Sequence, residues 1–169
     1  WGGRYGDLSE LTDRQLLELQ TSKSSWHARR ARLILQHRAH QRDLEAADLD
    51  YLRALFDKHH DQDVKLRCFW TMHLVGNLST ERILSLIRQE PLETVRGWAV
   101  EFLAEDQNVE METVSKFVAL ARKEKSAFVR LKLASALQRM PMESRWQLAE
   151  ALLDHEEDAD DHNIPKMIW

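Results

Sequence analysis

The feature that most constrains this chain is an internal period. Four stretches, 26–35, 64–73, 95–104 and 129–138, share one shape. Each opens on a large apolar residue followed by a basic one or His: Trp26-His27, Val64-Lys65, Val95-Arg96 and Val129-Arg130. Apolar residues then fall five and eight places after the first, as Ala31 and Ile34, Phe69 and Met72, Val100 and Leu103, Ala134 and Leu137. On an α-helix these positions belong to one broad stripe, so each stretch reads as an amphipathic helix. Subtracting successive starts (64−26, 95−64, 129−95) gives spacings of 38, 31 and 34 residues. A period between about 20 and 50 residues marks a chain built from stacked supersecondary units, each too small to bury its own apolar face.

Between these stretches lie second amphipathic segments at 13–20, 45–59, 81–89, 112–123 and 143–153. Thr12-Asp13-Arg14-Gln15 has the form of a capping box, in which the hydroxyl and the amide each satisfy an orphan backbone donor. Thr80, Asn108 and Ser126 stand where further caps are needed. After Gly6 only Gly76 and Gly97 remain, Pro occurs only at 91, 141 and 165, and no window alternates apolar and polar residues long enough for a half-buried strand. The expectation is an all-α chain of four to five helical hairpins, at about 12–40, 43–78, 79–105, 109–140 and 142–169. The last is cut short, and residues 1–11 are expected to be a linker from a preceding domain.

The net charge of −4 argues against a dedicated nucleic-acid binder, because such affinity comes from Lys and Arg neutralising phosphates. No apolar run approaches the ~18 residues of a membrane span. Cys68 is the only cysteine, which excludes an intrachain disulfide and any site built on paired cysteines. The chain opens Trp1-Gly2-Gly3-Arg4-Tyr5-Gly6 without a signal segment and stops at Ile168-Trp169, so both ends are expected to be cuts inside a longer polypeptide.

The repeat pattern, an apolar residue then Arg with Ala or Val and Leu at helical spacing, resembles the HEAT repeat. It is clearest in Leu92-Glu93-Thr94-Val95-Arg96-Gly97-Trp98-Ala99-Val100 and in Ser126-Ala127-Phe128-Val129-Arg130-Leu131-Lys132-Leu133-Ala134. A succession of strings is similar to one family of large planctomycete and verrucomicrobial proteins described as membrane-bound dehydrogenase-like. These strings are Asp7-Leu8-Ser9-Glu10-Leu11-Thr12-Asp13, Ala31-Arg32-Leu33-Ile34-Leu35-Gln36, Leu66-Arg67-Cys68-Phe69-Trp70-Thr71-Met72-His73, Val95-Arg96-Gly97-Trp98-Ala99-Val100 and Asp161-His162-Asn163-Ile164-Pro165-Lys166-Met167-Ile168-Trp169. The resemblance implies a HEAT-type right-handed α-α superhelix. It also implies a sugar-dehydrogenase-like β-propeller before it, a cytochrome-c-like haem domain after it, and an exported or membrane-associated location. It supplies no functional residue for the helical region.

In such a stack the second helices line an inner face that serves for binding. Positions three and six after each repeat start point away from the apolar stripe: Arg29 and Arg32, Arg67 and Trp70, Trp98 and Glu101, Lys132 and Ser135. Arg29, Arg32, Arg67, Trp70, Trp98, Glu101 and Lys132 form the candidate interaction surface for a protein partner or a neighbouring domain. The plain alternative is a solvated face whose Trp rings pack between repeats. The run 19–42 holds six Lys and Arg and no acid, and is expected to pair with Glu45, Asp48 and Asp50. The acidic string 154–162 lacks the glycine and spacing of a calcium loop and is read as a solvated connection. His59-His60 is no better a metal pair, since adjacent helical residues point about 100° apart. No nucleophile elbow, phosphate loop or dinucleotide fingerprint occurs. Cys68 falls four residues after Val64, on the apolar face, which suits buried packing rather than a nucleophile paired with His73.

The functional expectation is a non-catalytic scaffold that positions domains or docks a partner, without cofactor or metal. Two alternatives use the same aromatics. One is an enzyme with a HEAT-like fold, of DNA-glycosylase or bilin-lyase type, with Glu101 beside Trp98 and Trp70 as its acid. The other is a carbohydrate-binding module.

Overall fold

The computed structural model describes residues 6–105 and 109–169, and among these the chain consists of ten α-helices and four short 3₁₀ turns, with no strand. It divides into two compact units, Trp1–Leu78 and Ser79–Trp169. The division falls on the border expected between the second and third hairpins.

The first unit contains α1 (Asp13–Glu18), α2 (Ser25–Ala39), α3 (Ala46–Lys58) and α4 (Gln62–Leu74). Helix α1 packs on α2 and α3, α4 packs on α2 and α3, and the result is two layers, α1 with α3 and α2 with α4. Leu16, Leu17, Ala31, Leu35, Leu52, Phe56, Cys68 and Phe69 fill the space between them. The Phe56 and Phe69 rings meet at 5.8 Å between centroids. Full burial of each large apolar side chain contributes about 1.5–3 kcal/mol. The capping box is present: Gln15 N–H donates to the Thr12 hydroxyl at 3.3 Å and Thr12 N–H donates to the Gln15 carbonyl at 2.9 Å. Residues 8–11, expected as linker, are tied down instead. Leu8 is buried, and the Arg38 guanidinium donates to the Ser9 and Leu11 carbonyls at 2.8 and 2.9 Å.

The basic run pairs differently from expectation. Arg38 and Arg42, near the end of α2, donate to the two oxygens of buried Asp13 at 2.7 and 2.5 Å, while Asp48 accepts from Arg14. The reason is the packing of α1 on both α2 and α3, which brings Asp13 to one neighbour and Arg14 to the other.

The register of α2 also differs by one residue from the sequence reading. The Ser24 hydroxyl accepts from His27 N–H, just as the Asp61 carboxylate accepts from Val64 N–H and the Ser126 hydroxyl from Val129 N–H. Counted from the caps, His27, not Trp26, is the equivalent of Val64, Val95 and Val129. Trp26 accordingly stands 64% exposed, whereas the three valines are buried. The buried positions four and eight later become Ala31 and Leu35, matching Cys68 and Met72. Position five, held by buried Phe69, Val100 and Ala134 in the other repeats, is Arg32 in this one.

The second unit contains α5 (Thr80–Gln89), α6 (Glu93–Leu103), α7 (Met111–Ala121), α8 (Ala127–Ala136), α9 (Met142–Leu153) and α10 (Ile164–Ile168). Here α5, α7 and α9 follow one another in one layer and α6, α8 and α10 in the other. The core holds Val95, Ala99, Val100, Val114, Phe117, Leu133, Leu148 and Leu152. Gly97 allows α6 and α8 to close, since a Cβ there would lie 2.4 Å from Phe128 Cε1. Ser126 caps α8 as expected, but Ser79 rather than Thr80 caps α5, and Asn108 lies outside the described residues.

In the second unit the arginine after each repeat valine makes one recurring tie. Arg96 donates from Nε and Nη2 to the two oxygens of Glu124 at 3.0 and 2.8 Å, and from Nη1 to the Glu90 carbonyl. Arg130 donates in the same way to both oxygens of Asp158, at 2.5 and 2.6 Å, and to the Glu124 carbonyl. In each case the carboxylate lies 28 residues ahead and the carbonyl six residues behind. The guanidinium therefore sews the turn of its own hairpin to the turn of the next, with the bidentate geometry that arginine provides and lysine does not.

Candidate interaction surface

The seven residues of the expected row fall in both units, and each group is described within its own. In the first unit the Arg32 guanidinium lies over the Trp70 ring, 5.0 Å from its centroid, which joins α2 to α4. Arg67, one turn before Trp70, donates from Nη1 to the Ser22 carbonyl at 2.7 Å, so part of its fork is spent on the turn leading into α2. Arg29 is exposed and makes no hydrogen bond or ion pair with a described residue. Arg32 is half-buried, and its Nη1 is shut off from solvent without an acceptor among the described residues. Burial first, and then the like charges of Arg29 and Arg67, pull the Arg32 pKa below its ordinary value. Among the described residues it is the Trp70 face that is set against Arg32, while Arg29 and Arg67 add like charge beside it.

In the second unit the arrangement is the reverse, because the charges are matched. Glu101 on α6 accepts from Lys132 Nζ at 3.0 Å and from Arg139 Nη1 at 2.7 Å. Burial would raise the Glu101 carboxyl, but the hydrogen bonds from Lys132 and Arg139 outweigh it and hold the group below the usual carboxylate range. Lys132 Nζ also sits over the Trp98 ring at 5.0 Å, and Trp98 packs on Phe102 at 5.8 Å. A carboxylate held ionised by two cations is poorly suited to donate a proton, so Glu101 acts here as an anchor between α6 and α8. Arg139 escaped the sequence reading because α8 does not stop at Ala136. It runs on as a 3₁₀ turn, Leu137–Arg139, which swings that side chain back toward Glu101.

The acidic string 154–162 is not simply solvated, as the sequence reading had it. Asp158 is buried under Arg130, and Glu157 stands 3.4 Å from the same guanidinium. His155 bonds through Nε2 to the Ala121 carbonyl and through Nδ1 to Glu157. Asp161 accepts from Asn163 and Ile164 N–H at the start of α10. His155, Glu157, Asp158 and Asp161 are thus engaged in contacts, and no group of three or more His, Cys, Asp or Glu able to hold a metal occurs among the described residues. Cys68 is fully buried, and burial pushes its thiol up to about 12, which keeps it protonated and unreactive at neutral pH. No helix is long and apolar enough to cross a membrane among the described residues.

Compared with models of known families, with curated proteins and with solved structures, the chain matches none of them.

Proposed function

We propose that this chain is a helical-repeat interaction module of HEAT type, a right-handed stack of hairpins that carries no catalysis of its own. In this reading it positions the domains of a larger exported dehydrogenase-like protein, or docks a protein partner. The supporting observation is the recurrence of one unit: paired helices in two layers in each half, with the same arginine-to-acid tie made twice in the second unit. Repeats that contact chiefly their neighbours spend their side chains on stacking and leave one face free for a partner. The competing enzyme reading needs an acid among the inner aromatics, and its candidate, Glu101, is committed to Lys132 and Arg139. The assay is direct: the purified chain is incubated with aldose sugars and an artificial electron acceptor, and separately with DNA carrying alkylated bases. No turnover is expected in either case. Sugar oxidation without added quinone or haem, or base release, would overturn the proposal.

A further inference from the structure

We infer that Arg29 and Arg32 on helix α2 and Arg67 on helix α4, with Arg32 over the Trp70 ring, form a binding site for a phosphate group. This deepens the interaction-module reading, on which it rests only for the question of what carries the phosphate.

The argument begins with Arg32. Counted from the helix caps, it occupies the fifth position of its repeat, where the other three place Phe69, Val100 and Ala134 in the core. A guanidinium in an apolar stripe is unfavourable unless something offsets the lost hydration. Among the described residues, what is set against it is the face of Trp70 at 5.0 Å. No carboxylate among the described residues pairs with Arg32 or Arg29, and Nη1 of Arg32 has no acceptor among them. Five other arginines, Arg14, Arg38, Arg42, Arg96 and Arg130, each meet an Asp or Glu at 2.5–3.0 Å. Arg32 is an exception in another respect: its Nη1 is the one arginine nitrogen among the described residues that is buried without an acceptor.

The neighbours make the exception larger. Arg29 stands one turn before Arg32 on α2 and Arg67 one turn before Trp70 on α4, so the stacking of Arg32 on Trp70 brings the two helix faces together, and the charges of both neighbours depress the Arg32 pKa. Arg67 commits one nitrogen to the Ser22 carbonyl, and a guanidinium has five N–H donors in all, so most of its fork is left for a ligand. Arg29 is exposed, and its donors make no bond with a described residue. The three roles differ: Arg29 and Arg67 present donors, and Arg32, stacked on the indole, supplies charge from a poorly hydrated position where it acts at short range and with little screening. A doubly charged, tetrahedral oxyanion matches three cations and their forked donors better than a single carboxylate does.

The test is a titration of the whole chain with inorganic phosphate, with O-phosphoserine and with acetate. Chloride is adjusted to hold ionic strength constant, and the arginine Nε–Hε signals are followed by NMR. Phosphate is expected to shift the Arg29, Arg32 and Arg67 signals saturably, with acetate weaker by about tenfold or more. Tighter binding of O-phosphoserine than of phosphate would assign the site to a carried phosphomonoester, and equal or weaker binding to the free anion; either supports the site. Arg32→Met is expected to lose most of the phosphate affinity, while its melting temperature in phosphate-free buffer stays at or above that of the parent, because an unmatched charge has been removed. Arg29→Gln, at an exposed position where folding is not at issue, is expected to weaken phosphate binding several-fold, and Arg122→Gln in the second unit to leave it unchanged. Absence of saturable shifts at these three arginines, or unaltered affinity in both Arg29→Gln and Arg32→Met, would overturn the inference. Those outcomes would leave the interaction-module reading standing, since the enzymatic assays test it separately.

Discussion

Replacing Asp158 by alanine should be among the most damaging single changes in the second unit. Arg130 is 2% exposed and Asp158 5% exposed, and the pair shares two hydrogen bonds at 2.5 and 2.6 Å. Asp158→Ala leaves the guanidinium buried, with the Glu124 carbonyl and the more distant Glu157 as its remaining partners. Breaking a buried pair from one side costs about 3–5 kcal/mol, because an uncompensated charge stays behind. For a chain of this size about 1 kcal/mol moves the melting temperature by roughly 2–4 °C, so a fall of roughly 6–20 °C is expected by circular dichroism. Removing both charges with the double substitution Arg130→Met and Asp158→Leu should restore most of the loss, since apolar residues of similar size replace such pairs at little or no cost. The comparison is Asp50→Ala, which breaks an exposed pair with Arg53 and should cost about 0–1 kcal/mol. If Asp158→Ala proves no worse than Asp50→Ala, or the double substitution no better than the single one, the account of the tie is wrong.

Two further outcomes follow from the packing and the charges. Gly97→Ala gains about 1 kcal/mol in helix propensity but drives a Cβ to 2.4 Å from Phe128, and overpacking of that kind costs about 1–3 kcal/mol. The net effect is expected to be destabilising, and trimming the ring with Phe128→Leu in the same chain should relieve it in urea unfolding. Burial opposes ionisation of Asp13, Glu101 and Glu124, but their arginine and lysine partners prevail and hold all three below the ordinary carboxylate range in the folded chain. A depressed folded pKa contributes stability that is fully present above the unfolded value near about 4 and is lost as pH falls through the folded one. Stability measured against pH should therefore decline below about pH 4, and Glu124→Gln should make that decline shallower; an unchanged slope would remove Glu124 from the account.

Much of the fold was legible because a helix period survives irregular spacing. The segments at 45–59, 81–89, 112–123 and 143–153 coincide with α3, α5, α7 and α9 to within one or two residues, since Leu, Ala and Glu at helical spacing leave few alternatives. The register of α2 was misread for a physical reason. Trp26 is the more hydrophobic neighbour of His27, and hydrophobicity alone places it inward, whereas the Ser24 cap fixes the first turn one residue later. That single residue determined how Arg32 was read, as an inner-face charge rather than a substitute for a core side chain. The tie from Arg130 to Asp158 was hidden differently. Arg130 stood in the repeat pattern and Asp158 in the acidic string, but nothing local links residues 28 apart until the hairpins stack. The same holds for Glu101, whose second partner, Arg139, becomes available only because α8 tightens into a 3₁₀ turn.

The constant 28-residue step also works as a gauge. An arginine reaching from Arg96 to Glu124, or from Arg130 to Asp158, must span the rest of its own helix, one connection and the whole of the next helix. A residue inserted or lost anywhere in that interval would carry the carboxylate out of reach and leave two buried charges without each other. Hairpin length in the second unit is thus held by a chemical contact and is not free to drift. The first unit ties Asp13 on α1 to Arg38 and Arg42 across its layers, and Arg14 to Asp48 along one layer, so its repeats answer to a different measure. The capped starts His27 and Val64 accordingly stand 37 residues apart (64−27), against 34 between Val95 and Val129 (129−95), a length the second unit's tie does not fix.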